Sequence, residues 1–238
     1  NGWKFPADAS EVRNGSEPDP LYGAKLIREL YLKADPSFAG RWTVPLLWDK
    51  KQHTAVNNES ADTIRIFNTA FNHLLPEDKK SLDLYPEALR SQIDEANEWL
   101  ADIIRNTYPA IIGATEEDKA AARAKIYALF DRLEGVLSKT KYAVGNEITE
   151  ADVRVYPWIL RFSITHHALF PAGSPSIEDK YPAILAWLRR IYQRDGVSET
   201  VNVGQIQGIV LGNPSFVKAI PDGFAFPRGP VLSEPIVA

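Results

Sequence analysis

Between Arg41 and Phe67 the chain reads RWTVPLLWDKKQHTAVNNESADTIRIF, and this stretch carries the residues best suited to hold a small ligand. A proline at the head of a strand leaves a neighbouring backbone edge unpaired, so the Val44-Pro45 step lets Val44 bond an extended ligand as a short extra strand. Ser60 reads as the N-cap of a helix beginning at Ala61, and a helix N-terminus attracts a carboxylate. Glu59 beside it can pair with an ammonium group. Together these residues suit a ligand with an α-amino acid head and an extended amide body.

The elements that must position them follow from the pattern. Trp42 to Trp48 reads as a strand, Asp49 to Gln52 as a polar turn, and Thr54 to Val56 as a short return strand. The helix after Ser60 has Ile64, Phe67, Phe71 and Leu74 on one face. Ahead of the hairpin, Leu21 to Ala34 predicts a helix with Ala24, Ile27, Leu30 and Tyr31 inward, stopped before Asp35-Pro36. Asn1 to Pro20 reads as an exposed loop, with sequon matches at Asn14 and Asn58 that are common by chance.

Beyond a charged linker the pattern is helical. Pro86 to Tyr108 carries apolar residues at helical spacing, and the run from Pro109 is expected to break it. Thr115 caps a second helix with Glu116, Glu117 and Asp118 in its first turn. Its expected face is Ala120, Ala124, Tyr127, Phe130 or Leu133, and Leu137. Thr149 and Asp152 form an acidic capping box with Ile148 and Val153 as a hydrophobic staple, which is a stability device rather than a site. Pro157 is expected to kink the helix that follows. His166-His167 diverge on a helix and make a poor metal site. Pro182 to Arg194 is a further helix, on which Arg189-Arg190 read as a solvated face or a packing salt bridge. Gly204, Gly208 and Gly212 fall four apart and fit a flat helix stripe or a loop. Asn213 to Ala238 is Pro-rich and reads as an extended tail.

Composition narrows the classes. The 238 residues are 45% hydrophobic and 24% charged with a formal charge of −4, an ordinary globular balance that argues against nucleic acid as partner. No apolar run reaches the roughly 18 residues of a membrane span. There is no Cys, hence no disulfide, thiolate metal site or thiol nucleophile, and no Met, which suggests a processed or partial product.

The TVPLLWDKK and VNNESADTIRIFN blocks resemble the glutathione-binding half of a glutathione transferase. With Gly2-Trp3, Tyr31 to Pro36, Ile148 to Arg154, Arg161-Phe162 and Trp187 to Tyr192, the chain more narrowly resembles the glutathionyl-hydroquinone reductases of the Xi class. The resemblance implies an α+β protein: a partial thioredoxin-like domain over 1–75, a linker over 76–84, an all-helical domain over 85–212 and a tail over 213–238. It implies glutathione as ligand, held by Trp3, Val44, Pro45, Glu59 and Ser60, although Trp3 alone reads equally as a packed aromatic. Its catalysis uses a Cys at the start of a first helix, and no such segment occurs here. The family's substrate-facing tyrosines align near Ala101 and Val210-Leu211, where no Tyr stands. Two functions therefore stay open: a transferase whose thiol chemistry lies outside these residues, or a non-catalytic binding module or subunit. The hairpin's open edge leads to the expectation of a covering chain or self-association, and an intracellular, soluble setting is expected.

Overall fold

The computed structural model describes residues 2–8, 10–11, 16–220 and 224–236, and the chain forms two units, Asn1–Asp83 and Leu84–Ala238. The sequon at Asn14-Gly15 lies outside the described residues.

In the first unit the segment at Trp3 to Phe5 runs antiparallel to Lys25 to Ile27, with Phe5 N–H donating to Lys25 O at 3.0 Å and Ile27 N–H to Trp3 O at 3.1 Å. Helix α1 spans Ile27–Ala34, shorter than the predicted Leu21–Ala34. The reason is Asp19: its buried carboxylate accepts the N–H groups of Leu21, Tyr22 and Ala24 at 3.0 to 3.1 Å, holding a turn that passes through Gly23 at φ 64°. The apolar face is the expected one, with Ala24, Ile27, Leu30 and Tyr31 buried.

Strand β1 is Leu47–Asp49 and β2 is Thr54–Asn57, paired antiparallel with Trp48 opposite Ala55 and Asp49 opposite Thr54. The strand predicted from Trp42 therefore begins five residues late. Pro45 has no N–H to give, and the Thr43 carbonyl is taken by the Tyr31 hydroxyl at 2.9 Å, so residues 42–46 lack ladder partners. Asp49 closes the turn by accepting from Lys51 N–H at 2.7 Å and Gln52 N–H at 2.8 Å, bonds that hold its carboxyl below the ordinary range.

Helix α2 is Ser60–Thr69. The cap is Glu59 rather than Ser60: the Glu59 carboxylate accepts from Ala61 N–H at 3.4 Å, while Ser60 is the first helical residue. The helix stops before Phe71, and a 3₁₀ turn follows at Asn72–Leu74. None of its residues is buried, and Phe67, Phe71 and Leu74 are exposed.

The second unit holds the larger core. Helix α3 spans Arg90–Ile112, after a 3₁₀ turn at Glu87–Leu89 that replaces the first turn expected from Pro86. It continues through Pro109 instead of breaking there. A proline in the last turn forfeits only one backbone bond, and Gly113 N–H still closes on Pro109 O at 3.0 Å. Helix α4, Glu116–Leu137, starts at Thr115 as expected, but its inward stripe is Ala122, Ile126, Phe130, Leu133 and Leu137; Ala120 and Ala124 are exposed. Phe130 and Leu133 both point inward, and that fixes the phase of the smaller residues before them.

Helix α5 is Glu150–Ile164 and is followed by a 3₁₀ turn at His166–Leu169. Helix α6 is Ile177–Lys180, α7 Pro182–Tyr192, α8 Val203–Gly212 and α9 Pro214–Val217. The glycine stripe is thus helical. The tail, predicted as a surface strap, begins with α9 and sends Phe216 into the core. Residues 231–234 then lie on α7, where Gln193 donates to the carbonyls of Leu232 and Glu234 at 2.7 Å and Arg189 to Val231 O at 3.0 Å and to the Glu234 carboxylate. Among the described residues no helix is long and apolar enough to cross a membrane.

The Thr149–Asp152 box reaches further than its sequence spacing suggests. Asp152 is fully buried and accepts from Thr149 N–H and Oγ1–H at 3.0 and 3.1 Å, from Ala143 N–H at 2.8 Å and from Trp187 Nε1–H at 2.8 Å. Thr149→Ala removes one of these donors and should lower unfolding free energy by about 1 kcal/mol. Asp152→Ala strands all of them in the core and should cost about 3–5 kcal/mol. Urea melts of the two variants test the ranking, and equal losses would show that the links to Ala143 and Trp187 carry nothing.

Candidate functional site

In the first unit two stretches far apart along the chain are tied together by polar side chains. The Tyr31 hydroxyl donates to Thr43 O at 2.9 Å, and Asn58 Nδ2–H donates to Thr43 Oγ1 at 3.3 Å. Residue 58 directly precedes Glu59, and residue 43 directly precedes Val44. The pair therefore sets the Val44-Pro45 step, a cis peptide, beside the start of α2. Asn57 continues the arrangement: its Oδ1 accepts from Glu59 N–H at 2.6 Å and its Nδ2–H donates to Asp62 at 3.2 Å. Thr63 caps back onto Glu59 O at 2.9 Å.

Val44, Pro45, Glu59 and Ser60 are all exposed, so this corner presents a backbone edge, a carboxylate and a helix start to solvent. Trp3 stands apart. Its backbone is fixed on the entry to α1, and the residue is 54% exposed. The sequence did not single out Tyr31, Thr43, Asn57 or Asn58 as positioning groups, although Asn57-Asn58 in front of a cap was a visible signal. A hollow of about 230 Å³ lies close by, lined by Tyr31, Phe38, Val56 and Asn58 among others.

A second group emerges in the helical unit. Tyr108 near the end of α3 stacks edge-on against Trp158 at 6.0 Å and Phe216 at 5.1 Å. The Arg161 guanidinium lies 5.6 Å from the Trp158 ring and has no acidic partner among the described residues. Burial pulls Arg161 below its usual value, opposed by nearby Tyr108. In the 3₁₀ turn after α5, His166 is buried 6.1 Å from Phe216, and its Nδ1 has no hydrogen-bond partner among the described residues. His167 differs, with Nε2 set 2.9 Å from Ser174 O. Among the described residues no group of His, Cys, Asp and Glu is disposed to hold a metal. No spacing rule points to Tyr108 and Phe216 as neighbours of Arg161, because three separate elements bring them together.

A small sheet-and-helix unit with a proline-led backbone edge beside a helix start, followed by an all-helical unit, is the architecture that comparison with known proteins recovers. The chain belongs to the glutathione transferase family. Residues 116–190 match the family described as glutathione S-transferase, C-terminal domain. The glutathionyl-hydroquinone reductase YqjG of Escherichia coli is 42% identical over 208 residues, covering 87% of this chain and 61% of that protein. The glutathionyl-hydroquinone reductase PcpF of Sphingobium chlorophenolicum is 32% identical over 238 residues, covering 99% of this chain and 72% of that protein. The crystal structure of the Xi glutathione S-transferase from Phanerochaete chrysosporium superposes with a TM-score of 0.85 at 39% identity, over 97% of this chain and 76% of that one. The glutathione-bound structure of YqjG superposes with a TM-score of 0.86 at 37% identity, over 99% and 74%. The chain thus spans about three fifths of the length of the Escherichia coli relative.

The buried imidazole gives this region an acid sensitivity. Burial, with Arg161 adding to it, depresses His166 from 6.5 to about 4. Below its unfolded value the unfolded chain takes up a proton that the folded chain refuses, so stability falls as the pH drops from about 6.5 towards 4. The loss reaches about 3 kcal/mol at the acid end of that window. His166→Phe should flatten the difference between urea melts at about pH 7 and pH 4.5. An unchanged difference would place the acid sensitivity elsewhere.

Proposed function

We propose that the first unit is a glutathione-recognition surface in a protein of the glutathionyl-hydroquinone reductase type. The observation that carries this reading is the Tyr31–Thr43–Asn58 tie, which sets the Val44 edge beside Glu59 and the start of α2. The Val44 backbone pairs with the peptide body of glutathione. Glu59 takes the ammonium of the γ-glutamyl end. The Ser60 hydroxyl and the first N–H groups of α2, a ten-residue helix, meet its carboxylate. Pro45 keeps the edge open, and Trp3 is the aromatic wall that the family resemblance implies.

No residue of the chain is a cysteine, so the thiolate of a reductase reaction is either glutathione's own or comes from outside these residues. In the reductase reaction, a thiolate attacks the sulfur of a glutathionyl-hydroquinone, forming a mixed disulfide and releasing hydroquinone; a further glutathione resolves the disulfide. This chain's part is to bind and orient. In the helical unit, Tyr108, Trp158 and Arg161 offer stacking faces and a positive charge suited to a phenolic partner. The second reading, a binding module or subunit without chemistry, is favoured by the same lack of Cys.

Replacing Glu59 leaves the ligand ammonium without its partner. Glu59→Ala should weaken glutathione binding by tenfold or more, about 1.5–3 kcal/mol, and lower stability by about 1 kcal/mol at most through loss of the α2 cap, so binding is measured well below the melt. Titration calorimetry showing equal affinity in variant and parent would remove Glu59 from the site.

The partner of the first unit belongs to the same proposal, as does an intracellular, soluble setting. The two-stranded sheet and the exposed Phe67, Phe71 and Leu74 call for cover, from another protein chain or a second copy. Sedimentation of the purified 238-residue chain at low micromolar concentration should show association or aggregation. A stable monomer with one cooperative melt would mean that this face is tolerated in water.

A further inference from the structure

We propose that the first unit carries a site for a small alkylammonium ion, in the hollow between the end of α1 and β2. The hollow measures about 230 Å³, and its walls include none of Val44, Pro45, Glu59 or Ser60. It is smaller than the roughly 300–1,000 Å³ typical of sites for drug-sized molecules, so it suits a compact ligand. Phe38, Leu46 and Ala55 give it an apolar side, and Asp35, Thr54 and Asn58 a polar one.

The polar groups left over decide the sign of the ligand. No Lys, Arg or His lines the hollow. Lys33, two residues before Asp35, holds its Nζ 4.3 Å from the centre of the Tyr22 ring. Asp35 Oδ1 accepts from Ser37 Oγ–H at 2.6 Å and Ser37 N–H at 2.8 Å, whereas Oδ2 has no hydrogen-bond partner among the described residues. The Ser37 hydroxyl and N–H also hold the Asp35 carboxyl below its ordinary range, so it stays charged around neutral pH. The side-chain donors are engaged elsewhere: the Tyr31 hydroxyl on Thr43 O, Asn58 Nδ2–H on Thr43 Oγ1, and Asn57 Nδ2–H on Asp62. Asp35 Oδ2 and Asn58 Oδ1 remain as acceptors, and the Thr54 hydroxyl can act either way. An ammonium group, which has donors and no acceptor, complements that set. Asp35 also stands at the C-terminal end of α1, where the helix dipole favours positive charge.

The walls are preorganised. Asp35 O accepts from Phe38 N–H at 3.0 Å, closing the turn after α1, and the Phe38 ring lies 4.9 Å from that of Tyr31. A Cβ on Gly40 would sit 2.7 Å from Phe38 Cζ, so the bare glycine leaves the ring its place. An ammonium on a short alkyl chain matches this layout: the charge meets Asp35, and the chain lies along Phe38, Leu46 and Ala55.

The site is independent of the glutathione reading, and a Glu59→Gln background keeps the ammonium from pairing with Glu59 instead. In that background n-butylammonium is titrated by ligand-observed NMR, which tolerates self-association of the protein, and should bind at about 5 mM or tighter. 1-Butanol, the same chain without the charge, should bind at least fivefold more weakly. Asp35→Asn keeps an acceptor for Ser37 and removes the charge, and it should weaken butylammonium by at least fivefold. Ala34→Leu, which fills the hollow from a half-buried helix position, should abolish binding. Circular dichroism melts confirm that each variant folds, and the comparison with butanol needs neither of them. Raising salt from about 0.05 to 0.5 M should weaken butylammonium and leave butanol unchanged. Affinity weaker than about 5 mM, equal affinity for butanol, or binding untouched by Asp35→Asn overturns the proposal.

Discussion

The carboxylate of Asp152 is the constraint on which the helical unit depends. It sits in the first turn of α5 with no access to water, and burial pushes its carboxyl above the ordinary range against the bonds it accepts. Those bonds come from three places: the loop at Ala143, the cap at Thr149, and Trp187 in the middle of α7. A buried carboxylate is costly unless its lone pairs are filled, so the three segments cannot shift relative to one another without exposing that cost. Trp187 is itself fully buried and lies edge-on to Tyr156 at 5.8 Å. The rotation of α5 about its axis is thereby fixed. Trp158, Arg161 and His166 ride on that helix and on the turn after it.

The first unit is positioned by different means. Its buried apolar cluster consists of Ala24, Ile27, Leu30 and Tyr31, with a few half-buried aromatics around it. Polar side chains set the chain path instead: Asp19 holds the turn into α1, Tyr31 and Asn58 fix Thr43, and Asn57 fixes Glu59. At the tip of the hairpin the Tyr22 hydroxyl accepts from Trp48 Nε1–H at 3.2 Å and lies 2.7 Å from His53 Nδ1. These are short-range, directional contacts, and they shape a surface corner more than a core.

How much of this was legible in the sequence varied with the range of the forces involved. The face of α1, the Thr115 cap and the Thr149–Asp152 box follow from local periodicity and capping, and they stand as read. The strand from Trp42 was overextended because β-branched and apolar residues signal a strand even where partners are lacking. Ser60 was preferred as a cap on residue type, whereas it is the Glu59 carboxylate that accepts a first-turn N–H, that of Ala61. Phe216 and the bond between Asp152 and Trp187 were invisible, since they join residues far apart along the chain. Among the residues proposed for the site, Val44, Glu59 and Ser60 were chosen from type and spacing. The tie that makes them neighbours needed the folded chain.

The small core of the first unit has a further consequence. A unit with four buried apolar side chains among its described residues, held otherwise by mostly exposed hydrogen bonds, has little free energy separating it from local opening. A molecule seated at Glu59 and Val44 would bind only the closed form, and so would act as one more piece of that unit's interior. Occupancy and opening then compete for the same chain. Backbone amides around Thr43 and Asn58 would exchange with solvent more slowly as ligand concentration rises, while those beside Trp187 keep their own time.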